Sequence, residues 1–237
     1  MASVAMALSK SLGVLEPLQT ATSIDGQVRE LYDVIAKHGE PPVTLIGHSW
    51  GAWLSFIFAA RHPLTARKLI LVGSGPFEEK YAQSIMKTRL SRLKRDEWTQ
   101  VRNTIAALDD PSVADKGVLL ARFGELMIRA DSFDPLPQEA GADDITPQPD
   151  VFRSVWAEAE RLRNSGELLL RIGGAIRCPV VAIHGDYDPH PTEGVQGPLS
   201  RTITDFRFIL LHDCGHEPWR ERRAKDRFFE VLAAELQ

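Results

Sequence analysis

Residues 43–61 read VTLIGHSWGAWLSFIFAAR, and the reading of this stretch decides the fold. Val43 to Gly47 is a short apolar run of strand length. Trp50 to Arg61 is apolar almost throughout, long enough for several helical turns, and is stopped by Pro63. Between them stands Gly47-His48-Ser49-Trp50-Gly51, which fits G-x-S-x-G directly after a strand and directly before a helix. In that context Ser49 sits on a strained turn that lifts its Oγ above the sheet edge. Such a turn packs tightly, so its flanking positions must be small, and Gly47, Gly51 and Ala52 are. The backbone N–H of Trp50 then points to where a carbonyl oxygen under attack would lie, aided by the helix N-terminus. The plainer alternative is a tight turn closed by a capping serine.

Upstream, Ser3–Ser11 reads as a short helix and Gly13–Leu18 as a brief strand limited by Pro17. Asp25-Gly26 opens a helix over Gln27–His38, whose Val28, Leu31, Val34 and Ile35 fall at helical spacing. Downstream, Lys68–Gly73 is the next strand, closed by Gly73-Ser74-Gly75-Pro76. From Phe77 to Ile176 no strand stands out. Helical segments are expected at 77–94, 96–108, 113–130 and 149–172, with a polar, Pro-rich loop over Asp131–Pro149. Strands resume at Pro179–Gly185 and Arg207–His212, and a closing helix is expected over Pro218–Leu236. Strands alternating with helices predict an α/β fold, a mostly parallel sheet flanked by helices. The helical stretch then becomes a cap inserted between two strands: core 1–75 and 176–237, cap or lid 76–175. Its first part is basic (Lys80, Lys87, Arg89, Arg92, Lys94, Arg95) and reads as a solvated helix face rather than an anion site.

Composition bounds the possibilities. The chain has 237 residues, enough for one large domain with a full core. Lys and Arg number 28 against 32 Asp and Glu, a net charge of −4, which is no electrostatic footprint for nucleic acid. No apolar run approaches the roughly 18 residues of a membrane span, so no membrane partner is expected. The two cysteines, Cys178 and Cys214, make no disulfide framework and read as small residues in a reducing compartment. The N-terminus MASVAMALSK lacks a basic leader region, and the expectation is a cytoplasmic protein.

A serine nucleophile needs a base, and the base an orienting acid. His216 lies in Cys214-Gly215-His216-Glu217-Pro218, just beyond a strand, where α/β sheets place their sites. His38 and His62 read as surface or capping residues, and His48 as packing beneath the elbow. His184, His190 and His212 lie less well. For the acid, Asp186 and Asp188 both follow a strand in Ile183-His184-Gly185-Asp186-Tyr187-Asp188-Pro189. Asp188 is farther along the loop and better placed to reach His216, whereas Asp186 would shape the turn. His184, Asp186, Asp188 and His190 also invite a metal reading, since their alternation would put them on one side of an extended segment. Gly185 and Pro189 break that regularity, and no metal is expected.

With these pieces in order the chain resembles the α/β-hydrolase family over essentially its whole length. The resemblance rests on Val43–Gly51, Lys68–Gly73, the capped insertion, Pro179–Pro189 and Cys214–Trp219. Within the family it is most similar to cap-bearing serine hydrolases of the proline iminopeptidase and esterase kind, through the Ser-Trp-Gly of the elbow. The resemblance implies Ser49 as nucleophile, Asp188 as acid, His216 as base and the Trp50 N–H in the oxyanion hole. It also implies a cap over the pocket. Ser49 speaks against the aspartate-nucleophile branches of the family, the epoxide hydrolases and haloalkane dehalogenases. One departure stands out. Family members carry, upstream of the strand matching Gly13–Leu18, a strand followed by a His-Gly loop that donates the second oxyanion N–H, and no such segment precedes Ser49 here. In the family's strand order its absence would open a gap inside the sheet, which unpaired backbone groups make costly. The expectation is a start farther upstream, with Met1 internal. The alternative is a short form whose first strand re-pairs with Val43–Gly47 or is displaced.

The function expected on this basis is hydrolysis of an ester or amide of a small molecule through an acyl-enzyme, with no cofactor. Phe77, Tyr81, Trp156 and Tyr187 are candidate pocket walls. Alternatives are a catalytically weak or inactive ligand-binding protein on the same scaffold, and a lyase or cofactor-free peroxidase using the same three residues. Nothing in the sequence assigns an oligomeric state or a natural substrate.

Overall fold

The computed structural model describes residues 1–110, 112–113, 116–137 and 148–237. Four parallel strands, β1 (Val43–His48), β2 (Ala66–Val72), β3 (Val180–Gly185) and β4 (Phe206–Leu211), pair in the order β1-β2-β3-β4. Each is a nearly continuous apolar run because the sheet is covered on both faces. Alternation along β2 shows it. Leu69 and Leu71 join a core with α2 (Ile24–His38) and α3 (Trp50–Arg61), while Ile70 and Val72 join a second core with α1 (Ala2–Leu8) and α10 (Lys225–Glu235). Layers of helix, sheet and helix result, as the sequence pattern predicts.

The region between β2 and β3 is helical: α4 (Glu79–Ala82), α5 (Ile85–Ser91), α6 (Arg95–Asp109), α7 (Lys116–Asp131) and α8 (Pro149–Asn164), then one π-helical turn at Leu168–Ile172. The insertion divides by packing. Leu93, Val101, Leu126, Met127 and Ala130 of α5–α7 and their junctions form a small core of their own. Val155 and Ala159 of α8 and Leu168, Leu169 and Ile172 instead join the main core with Phe56 of α3.

Several expected elements are corrected. Gly13–Leu18 forms no strand. It follows α1 outside any ladder, and β1 is the sheet margin, with no strand beyond it among the described residues. Pro17 cannot donate to a ladder, and the run is too short to pair without it. No gap opens inside the sheet, because Gly13–Leu18 does not take the position that would have created one. The expected helix 77–94 is two short helices, α4 and α5, separated by a turn. The closing helix begins late. Pro218–Arg220 is a 3₁₀ turn and α10 starts only at Lys225. A helix that the sequence reading missed, α9 (Glu193–Thr202), joins β3 to β4 despite Pro198 inside it. Much of the expected loop Asp131–Pro149, residues 138–147, lies outside the described residues.

Candidate active site

Ser49 occupies the junction of β1 and α3 with φ +53° and ψ −117°, a conformation non-glycine residues rarely hold. Its N–H donates to the Val72 carbonyl at 3.1 Å, tying the turn to the end of β2. The turn is as tight as its glycines require: a Cβ on Gly47 would lie 2.1 Å from the Gly51 carbonyl oxygen. Gly51 itself has open space around it, so that position does not need to be small for packing. Ser49 makes no side-chain capping bond to α3. Ser23, by contrast, caps α2 by accepting from the Gly26 N–H at 3.1 Å. A strained serine that does no capping is not explained as a helix cap. Trp50 is the first residue of α3, where an N–H lacks an acceptor within the helix. Its indole Nε1–H donates to Gln27 Oε1 at 2.8 Å, which fixes the side chain away from its own backbone.

Asp188 and His216 are brought together from the loops after β3 and β4. His216 Nδ1–H donates to Asp188 Oδ2 at 2.7 Å, and both side chains are buried. Burial pushes the Asp188 carboxyl up, but the neighbouring His216 and the hydrogen bond from His190 outweigh it and hold Asp188 well below the usual carboxylate range. Burial pulls the His216 imidazole down, but the Asp188 charge and hydrogen bond, with Asp131 adding, raise it above an ordinary histidine. The buried ion pair is therefore poised for His216 to carry a proton. Its loop passes directly over the end of β2. Gly73 has φ +51°, and a Cβ there would lie 2.8 Å from the His216 carbonyl oxygen and 3.1 Å from its Nδ1.

His48, next to Ser49, packs against the same ring with centroids 4.6 Å apart, and its Nε2–H donates to the His216 carbonyl at 3.0 Å. Burial and the neighbouring His216 charge push it well below the usual value, so it stays neutral. The sequence reading puts it beneath the elbow; it also bridges the Ser49 turn and the His216 loop. No hydrogen bond joins Ser49 Oγ to the His216 imidazole among the described residues.

The remaining candidates fall as follows. Asp186 accepts from the Cys214 N–H at 3.3 Å and pairs with His212 Nδ1 at 3.0 Å, so it shapes the turn after β4. Asp188, His190 and His216 cluster closely enough to suggest ligands, but each close contact is a nitrogen hydrogen-bonded to the carboxylate. Phe77 is fully buried, edge-on to Phe56 with centroids 5.0 Å apart, which places it in the core behind the site. Trp156 lies parallel to Trp53 at 6.2 Å and remains partly exposed. Tyr81 packs against Gly194 of α9. Tyr187 lies beneath the Arg92 guanidinium, 3.6 Å from its ring centroid.

Three features escaped the sequence reading. His190 bonds the second oxygen of Asp188. Arg89, assigned to a solvated face, turns inward and forms a two-pronged pair with Asp131 at 2.8 and 2.7 Å. The Asp131 carbonyl in turn accepts the His216 N–H at 2.9 Å. Glu221, 1% exposed, accepts the N–H groups of Gly215, Phe133 and Asp134 at 3.0, 2.8 and 2.7 Å. A glutamate five residues beyond His216 was the available signal for the last. Nothing local marks Arg89, whose partner is 42 residues away.

Comparison with known proteins agrees with the architecture. Solved structures with the same fold include an esterase from Exiguobacterium antarcticum (19% identity, TM-score 0.60, 91% of this chain and 74% of that one). A thermophilic esterase from Thermogutta terrifontis (18%, TM-score 0.54, 93% and 74%) and a bromoperoxidase from Bacillus anthracis (16%, TM-score 0.55, 94% and 78%) are also similar. No curated protein matches the chain. The alpha/beta hydrolase fold family matches residues 15–219, and with the parallel sheet and the elbow between β1 and α3 this chain belongs to that family.

Proposed function

We propose that the protein is a serine hydrolase of small-molecule esters or amides. The observation that carries the reading is a buried Asp188–His216 pair whose imidazole packs on His48, the residue before a strained, non-capping Ser49. Ser49 Oγ attacks the carbonyl carbon and passes its proton to His216 Nε2. Asp188 holds the imidazole in the Nδ1–H tautomer and stabilises its charged form. The Trp50 N–H receives the developing oxyanion, and His216 then returns the proton to the leaving group. Water releases the acyl group by the same steps in reverse. Esterases share the fold, so aryl esters are the first substrates to try; aminoacyl arylamides test the amide alternative and the iminopeptidase-like subtype. Free Cys178 and Cys214 suit a reducing, cytoplasmic setting, and no described helix is long and apolar enough to cross a membrane.

Fluorophosphonate labelling read by mass spectrometry, with Ser49→Ala as control, tests the proposal. Label confined to Ser49 and turnover lost in the variant support it. No label on folded, monodisperse protein would overturn it and favour the ligand-binding alternative. Asp188→Asn should retain the fold and lower kcat about 10⁴-fold. Activity requires neutral His216, whose value is raised. Activity should therefore be present at high pH and fall as pH drops through a midpoint above the ordinary histidine value of about 6.5. A pH profile of kcat/KM with its acid limb at or below that value contradicts the pairing.

A further inference from the structure

Asp188 carries two imidazoles, and only one belongs to the proposed reaction. His190 Nδ1 lies 2.6 Å from Asp188 Oδ1, and the His190 backbone N–H donates to the same oxygen at 2.9 Å. His216 Nδ1 takes Oδ2. An ionised carboxylate only accepts, so each of these nitrogens carries its hydrogen. His184 Nε2 is 2.8 Å from the His190 carbonyl, which also only accepts, so His184 spends its Nε2–H there. It stands 3.6 Å from Asp188 Oδ2, beyond a hydrogen bond. The tautomers are thereby set by geometry: Nδ1–H on His190 and His216, Nε2–H on His184. His190 is held at both ends, by its ring to Asp188 and by its backbone to β3.

We infer that His190 is a positioning residue for this site, a fixed Nδ1–H donor that locks Asp188 with Oδ2 turned to His216. The inference rests on the proposed roles of Ser49, Asp188 and His216. The groups facing His190 are Asp188 on its own loop, His184 on β3, His216 on the loop after β4 and Arg89 on α5. One negative charge thus serves two rings whose centroids are 4.6 Å apart. Burial pulls His190 below the ordinary value despite Asp188, while the Asp188 charge and hydrogen bond raise His216. Donation from His190 also draws on the Asp188 charge and so tempers its pull on His216. Losing that donor has two consequences: Asp188 Oδ1 keeps only the His190 backbone N–H, which loosens its orientation, and the carboxylate binds the imidazolium of His216 more strongly.

Two variants separate the hydrogen bond from the volume. His190→Asn keeps an N–H near the Nδ1 position and cannot ionise; His190→Phe keeps the ring and loses the donor. His190→Phe should lower kcat about tenfold to a hundredfold with KM unchanged, as loss of an orienting partner does elsewhere, and move the acid limb to higher pH. His190→Asn should restore both the rate and the limb. A His190→Phe variant with wild-type kcat and pH profile overturns the inference, as does an Asn variant as impaired as Phe. Should Phe fail to fold, nitrogen-15 histidine NMR of the unmodified protein decides: His190 neutral and Nδ1-protonated supports the assignment, and the Nε2–H tautomer overturns it. Fluorophosphonate rates keep the two ideas apart. Wild-type protein that resists label brings down the Ser49 reading and this inference with it. Labelling of His190→Phe at the wild-type rate brings down His190 alone.

Discussion

At the scale of single residues, the two glycines of the elbow motif differ in kind. Gly47 is required by sterics, since its Cβ would meet the Gly51 carbonyl and the Ala52 Cα. Gly47→Ala should therefore destabilise the protein by about 3 kcal/mol or more, read by chemical denaturation. Gly51 faces open space inside α3, so Gly51→Ala should hold or raise stability by about 0.5–1 kcal/mol. Equal losses at both would contradict the packing described. Gly73 is a third kind: it combines positive φ with closeness to His216. Gly73→Ala should cost about 1–3 kcal/mol and displace His216, so labelling of Ser49 should slow more than the stability loss explains. The motif residues Gly47 and Ser49 were legible because their constraint is local, one strand, one turn and one helix in unbroken sequence. Gly73 was legible only as a strand end, because what it touches lies far along the chain.

At the scale of elements, legibility followed the continuity of the apolar pattern. The four paired strands are apolar runs bounded by turn residues, and each was located within a residue or two. Errors arose where a proline met a weak pattern. Pro17 accompanied a run that never paired, Pro198 hid α9, and Pro218 marked a 3₁₀ turn rather than the start of α10. Tertiary contacts decided each case. The end of α10 shows how the elements are tied. Glu235 accepts Lys68 Nζ of β2 at 2.8 Å and also pairs with Arg207 of β4. Burial raises the Glu235 carboxyl, but the bonds from Lys68 and Arg207 outweigh it and hold it below the usual value. A carboxyl lowered in the fold stabilises above its unfolded value and loses that contribution as pH falls through the folded one. Glu235→Gln should thus lower stability at neutral pH by about 1 kcal/mol or less, since Arg207 is exposed. The difference should begin to shrink as pH falls through the ordinary glutamate value of about 4.5 and vanish at lower pH, as denaturation midpoints along a pH series would show.

At the scale of the whole molecule, the parts of the candidate site come from separate regions joined by a few buried polar links. The turn after β1 carries Ser49, and the loops after β3 and β4 carry Asp188 and His216. The helical insertion reaches them through Arg89 and Asp131, whose carbonyl holds the His216 N–H. Arg89→Met strands the Asp131 carboxylate, 5% exposed, and should cost about 3 kcal/mol, together with slower labelling of Ser49. Unchanged values for both would show the pair to be dispensable. None of this was legible in sequence, because a basic helix face gives no sign of which arginine turns inward. Glu221 extends the same linkage. By accepting N–H groups from Phe133 and Asp134 on one side and Gly215 on the other, it splices the exit of α7 to the turn that carries His216. The two strips of chain are thereby cross-braced, and a shift of α7 is transmitted to the imidazole as a lever arm transmits a load.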